Sequence, residues 1–276
     1  MKVEHHLSPA LMSATRPIRV LVVGAGGTGS AIVMQLPYLD QALRVWGRTN
    51  GIDVVLIDPD VVSRTNCVRQ PFSVSDIGQY KSVVLINQIN TFWRKNWSAV
   101  NYRFTQKCLR KAKQWQPDIV IGCVDSKAAR RNIHKAITMI GTRTAYWLDL
   151  GNNASSGQYV LGQPLNTGNR KLKNRLPTVA ELYPEIIDTS LRENPLPSCS
   201  ALEALERQEP FINQTLATSA MAMLARLFRY GSLDHHGAFF NAVSGAMCPM
   251  PVDPEVWRIP TAAKSCKRDT GMRAAA

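Results

Sequence analysis

The stretch that most constrains this chain is Ile18-Arg19-Val20-Leu21-Val22-Val23-Gly24-Ala25-Gly26-Gly27-Thr28-Gly29-Ser30, an apolar, β-branched run that stops at a glycine cluster. Ala31 to Leu36 follow it with helical patterning, so the segment predicts a buried strand, a tight turn and a helix. Gly24 and Gly26 permit the turn and a close approach of backbone to phosphate, while Gly29 lets the helix pack on the strand. The free N–H groups and partial positive charge of a helix N-terminus suit an anion. Gly24, Gly26, Gly27 and Gly29 are therefore candidate nucleotide-binding positions. A dinucleotide fold is the default for such a motif, and a glycine turn without a ligand is the plain alternative.

With 276 residues there is room for one large α/β domain or two small ones. No apolar run is long enough to span a bilayer, and Met1 to Arg16 has no signal-peptide core, which predicts a cytoplasmic protein without a membrane partner. The six cysteines are scattered singly, with neither Cys-x-x-Cys pairs nor histidine spacing that would bind zinc, so no structural zinc is predicted. The net charge of +13 invites a nucleic-acid reading. However, the basic residues cluster at Arg103 to Lys113, Arg130-Arg131, Arg170 to Arg175 and Lys264 to Arg268 without interleaved aromatics. An acidic protein partner or a solvated basic face explains them as well, and nucleic acid is not expected as the main partner.

Residues 1–16 read as a polar N-terminal arm, 17–250 as a single domain and 251–276 as a basic, disordered tail. Pro37 is expected to kink or end the first helix, with a further helical piece from Leu39 to Val45. Asp53 to Asp58 predicts a second strand ending in a carboxylate, further from the glycines than the usual spacing of about 20 residues. The segment from Asp58-Pro59-Asp60 to Asn66-Cys67-Val68-Arg69-Gln70 then carries carboxylates, an amide and an arginine toward the region where phosphates would lie. Lys81 opens an amphipathic helix from Val83 to Trp93, Tyr102 to Thr105 alternates like a strand, and Leu109 to Trp115 reads as a basic helix. Asp118 to Asp125 predicts another buried strand ending in a carboxylate, followed by a helix from Ser126 to Ile140 and a strand from Ala145 to Gly151. Gly157 to Gly162 suits a short antiparallel strand, and 163–209 a mobile crossover segment. Pro210 to Arg229 suits a long helix, and Phe239 to Val243 a last strand. The fold class is α/β, Rossmann-like, with a mainly parallel sheet and antiparallel additions in the second half.

The glycine loop, the segment from Asp58 to Gln70, Lys81 and the segment from Asp125 to Arg130 together resemble the ThiF/MoeB family of adenylating enzymes related to ubiquitin-activating enzymes. In particular they resemble the ThiF-type member of plasmid-associated PRTRC cassettes. The resemblance covers roughly residues 17–245 and implies an enzyme that binds MgATP and adenylates the C-terminal glycine carboxylate of a small ubiquitin-like protein. It places Asp58 on the ATP ribose, Asn66, Arg69 and Lys81 on the triphosphate, and Asp125 on magnesium, with Asp60, Gln70 and Arg130 as further cofactor-binding positions. Such a site makes chemical sense. Cations stabilise the departing pyrophosphate, and the attacking carboxylate is already ionised at neutral pH. Read without the resemblance, Asp58 is a strand-end carboxylate holding the next turn, Asp125 is the N-cap of the following helix, and Asp60 and Gln70 are structural supports.

The departures are specific. Asp125-Ser126 stands where the family has Asp-Asn, the zinc-binding Cys-x-x-Cys pairs are missing, and the upstream Arg-Gln motif is absent, with Arg16 and Arg19 as poor substitutes. A homodimer is implied by family habit alone. Cys199, in Pro197-Ser198-Cys199-Ser200, resembles the crossover cysteine that takes the acyl group as a thioester, and an ordinary loop cysteine is the alternative. Cys67 and Cys123 read as packing residues. The competing functions are an NAD-dependent oxidoreductase on the same glycine loop and a non-catalytic nucleotide-binding partner protein of a plasmid-associated system.

Overall fold

A computed structural model describes residues 3–12, 15–111, 115–191, 209 and 211–257. Cys199 and the tail after Trp257 lie outside the described residues. In chain order the elements are β1 (His5–His6), α1 (Pro9–Met12), β2 (Ile18–Val23), α2 (Gly27–Val45), β3 (Ile52–Ile57), α3 (Lys81–Trp93), β4 (Ser98–Val100), α4 (Gln106–Lys111) and β5 (Ile119–Gly122). They continue as α5 (Lys127–Ile137), β6 (Tyr146–Asn152), β7 (Ser156–Gly162), α6 (Val179–Leu182), α7 (Ile212–Tyr230), β8 (Ser232–Leu233), β9 (His235–Asn241) and β10 (Met247–Pro251).

Eight strands form one sheet in the order β10-β9-β7-β6-β5-β2-β3-β4. The neighbours from β4 to β6 are all parallel, whereas β7, β9 and β10 are added antiparallel, as the fold class anticipates. The central strands are mostly apolar because helices cover both faces. One face packs Ile32, Leu36, Leu43, Leu85 and Leu224, and the other packs Phe104, Ile133, Ile137 and Val179. The chain leaves β2 toward β3 on one side and reaches β5 on the other. The carboxyl ends of β2 and β5 therefore flank a crevice of the kind in which ligands bind in open α/β sheets.

Several local expectations are corrected. Pro37 does not end the first helix, which runs from Gly27 to Val45. A mid-helix proline loses one ladder bond. Here Leu36, Leu39 and Leu43 are buried along the flank that meets α7, and this packing outweighs the defect. Residues 3–12 are not a loose arm: β1 pairs with β8, and Leu7 and Leu11 are buried. The edge strand is Ser98–Val100, while Tyr102 is exposed and Phe104 turns inward as the chain approaches α4. Residues 163–191, expected within a mobile crossover, are pinned by side-chain amides. Asn166 Nδ2 donates to the Ile137 and Thr144 carbonyls, and Asn169 Nδ2 to those of Thr144 and Pro164. The last predicted strand begins earlier, at His235, and β10 follows it at the sheet edge, hidden in the sequence by Pro249 and Pro251.

Candidate active site

The crevice is a cavity of about 610 Å³ at the carboxyl ends of β2, β3, β5 and β6. Its walls include Gly24, Gly26, Gly27, Asp58, Asp60, Asn66, Arg69, Gln70, Lys81, Asp125 and Arg130, eleven of the candidate positions read from the sequence. Gly29 does not line it. A Cβ there would meet the Gly24 carbonyl oxygen at 1.9 Å, so this glycine is needed for the helix to sit on the turn. Gly24 has φ +100° and closes against the Cys123 carbonyl, whereas a Cβ on Gly26 would meet nothing within 4 Å. The backbone is thus bare toward the cavity where α2 begins, and its N-cap, Gly26, supplies no side-chain cap to the free N–H groups.

Asp58 is buried just beyond β3, with Oδ2 accepting the Ala25 N–H at 2.6 Å and Oδ1 accepting the Asp60 N–H at 2.8 Å. Its carboxylate therefore does hold the next turn, and it also fixes the glycine loop. Burial pushes its pKa up, against those two hydrogen bonds. Lys81, at the first turn of α3, is 7% exposed, with Nζ 3.2 Å from the exposed Asp60 carboxylate. Arg69 is half-buried, and desolvation lowers its pKa. Gln70 is buried with Oε1 unbonded among the described residues. Asn66 builds its own loop by accepting the Ser63 N–H at 2.9 Å.

Asp125 stands exposed at the cavity mouth after β5, and it is not the helix cap. Ser126 Oγ fills that role by accepting the Ala129 N–H at 3.2 Å, leaving the carboxylate without a hydrogen bond among the described residues. No cluster of three or more His, Cys, Asp or Glu occurs among the described residues. A lone carboxylate suits magnesium that takes its other ligands from phosphates and water. Arg130 faces inward, with Nε 3.1 Å from Asp149 Oδ2 and Nη2 3.3 Å from the Leu150 carbonyl. Burial raises the Asp149 pKa to about 6 even with the Arg130 charge beside it. Burial also drives the Cys123 thiol well above its ordinary value, against thiolate character there, and the Cys67 thiol donates to the Ser63 and Ser73 carbonyls. Arg16 is bound to Asp118, before β5 and away from the cavity.

The sequence did not point to several other wall residues, among them Asn132, Gly151, Asn152, Gln158 and Asn213. Asn213, in the first turn of α7, accepts from Thr28 Oγ1 at 2.8 Å and covers Gly27. Its only signal in the sequence is a polar residue in the first turn of a predicted helix.

The chain is a Rossmann-like α/β protein whose crevice gathers the glycine loop, cations and strand-end carboxylates. It belongs to the ThiF family, whose model matches residues 5–224. Among solved structures, PaaA is similar at TM-score 0.56 and 13% identity, over 85% of this chain and 64% of that one. E. coli MccB with ATP matches at TM-score 0.54 and 18% identity, and MccB with MccA-N7isoASN at 0.55 and 20%. Each of these covers 85% of this chain and 64% of MccB. The chain thus spans less than two thirds of the length of these proteins, and at such identities the likeness shows the fold. No curated protein sequence matches it.

Proposed function

We propose that this chain binds MgATP in the crevice and adenylates the C-terminal carboxylate of a small protein or peptide, releasing pyrophosphate. The observation that carries the reading is the convergence of buried Lys81 and half-buried Arg69 on the cavity that the N-terminus of α2 opens into. A buried lysine and a half-buried arginine beside a helix N-terminus suit a polyanion. Asp58 lies where a ribose would meet a carboxylate whose oxygens keep lone pairs free. Lys81, Arg69 and Asn66 would receive the triphosphate and stabilise the charge that builds on pyrophosphate. Asp125 would hold magnesium, which when bound supplies Lewis-acid polarisation of the phosphates. No general base is needed, because the nucleophile is ionised.

The finer reading is a ubiquitin-like substrate ending in glycine, a homodimer, membership of the PRTRC branch and transfer to Cys199 as a thioester. Its support is the motif resemblance, together with an MccB structure that contains an MccA-derived peptide. Calorimetric titration with MgATP and, separately, with NAD tests the reading. MgATP should bind selectively, and Arg69→Ala and Asp125→Ala should each weaken it by about 10- to 100-fold. Tight NAD binding that ignores both substitutions would put the oxidoreductase reading in its place. A thiol-sensitive conjugate lost in Cys199→Ala with adenylation intact would establish the second step.

A further inference from the structure

We propose that the notch over Gly151 is the seat of the acyl substrate's terminal carboxylate, held by Arg130 and Gln158; the assignment rests on the adenylation reading above. Gly151 and Gln158 are directly opposed in the antiparallel β6–β7 pair, so their side-chain positions share the sheet face that carries α5. A Cβ on Gly151 would lie 2.9 Å from Arg130 Nη2 and 3.0 Å from Gln158 Nε2. The two donors therefore close over the bare Cα of Gly151, where a Cβ would have no room, and Gly151, Arg130 and Gln158 all line the wall of the nucleotide cavity. Arg130 is fixed there by Asp149 on Nε and the Leu150 carbonyl on Nη2, which leaves Nη1 with no hydrogen bond among the described residues. The Gln158 carboxamide likewise bonds to none of them.

A guanidinium edge beside an amide N–H suits a carboxylate oxygen and, after activation, the acyl carbonyl oxygen. In the step itself, one carboxylate oxygen forms a bond to the α-phosphorus of ATP. The bond from that phosphorus to the bridging oxygen breaks, and pyrophosphate leaves with the electron pair. No proton moves. The second carboxylate oxygen stays on Arg130 and Gln158 and becomes the carbonyl oxygen of the mixed anhydride. Asp149 acts through Arg130 as a positioning residue.

The test compares two probes by calorimetry on the full chain: 5′-O-(N-acetylglycylsulfamoyl)adenosine, a stable mimic of an acyl-adenylate, and 5′-O-sulfamoyladenosine, which lacks the acyl group. The unsubstituted protein should prefer the acylated compound by about tenfold, and Gln158→Leu and Gly151→Ala should each bring the ratio toward one. If Gly151→Ala proves unfolded by circular dichroism, Gln158→Leu, at a partly exposed position, carries the test. A ratio near one in the unsubstituted protein, or one that survives Gln158→Leu, overturns the seat and leaves the nucleotide reading standing. Failure of both probes and of MgATP to bind overturns the adenylation reading and the seat with it.

Discussion

Lys81 shows how a single side chain is prepared for a ligand before the ligand arrives. Its ammonium is withdrawn from solvent beside the exposed Asp60 carboxylate and within the field of buried Asp58, which together give only part of the Coulombic return its lost hydration calls for. A polyphosphate would supply that return, so Lys81→Met should lower MgATP affinity by about tenfold or more while affecting AMP far less. Titrations with the two nucleotides check the contrast, and equal losses would move Lys81 away from the outer phosphates. Asp58 and Lys81 were legible in the sequence because each closes or opens a strongly patterned element. Gln158 and Asn213 were not, because their relevance depends on the order of strands in the sheet. Gln158 matters only through its register with Gly151, and Asn213 reaches Thr28 across 185 positions of chain.

At the scale of elements, β2, β3, β5 and β6 could be read directly because both faces are buried and their apolar runs are continuous. The breaks in that reading came where packing overrode local preference, at Pro37 inside α2 and at the two prolines of β10. The strand-turn-helix unit is a tightly packed joint. Gly29→Ala would drive a methyl group into the Gly24 carbonyl and toward Cys123 Cβ, and it should destabilise the fold by at least about 1–3 kcal/mol. A urea midpoint left unchanged by that substitution would contradict this packing. Ser126→Ala, which removes the cap of α5, should cost about 1 kcal/mol in the same measurement.

For the whole molecule, pH should act through two buried histidines away from the crevice and through Asp149 behind its wall. His5 and His236 are buried, and burial lowers both pKa values to about 4, helped at His5 by the neighbouring His236 and His6 and opposed at His236 by its bond to the Leu161 carbonyl. Between pH 6.5 and about 4 the unfolded chain takes up protons at these histidines that the native state refuses, so stability should fall as pH falls. Asp149 works in the opposite sense. Its pKa of about 6 lets the native state bind a proton before the unfolded chain does, offsetting part of the loss below pH 6. Melting temperatures should therefore drop across this window, and more steeply in Asp149→Asn; a flat or rising profile would refute the assignment. The prolines at the outer edge of the sheet matter at this scale too. Pro249 and Pro251 remove N–H donors from the rim of β10, so another strand cannot dock there in continuous register. Two copies of this chain cannot join by fusing their sheets at that rim. Any assembly through this end has to be made by side chains, and its geometry is open to change by surface substitution without redrawing the backbone ladder.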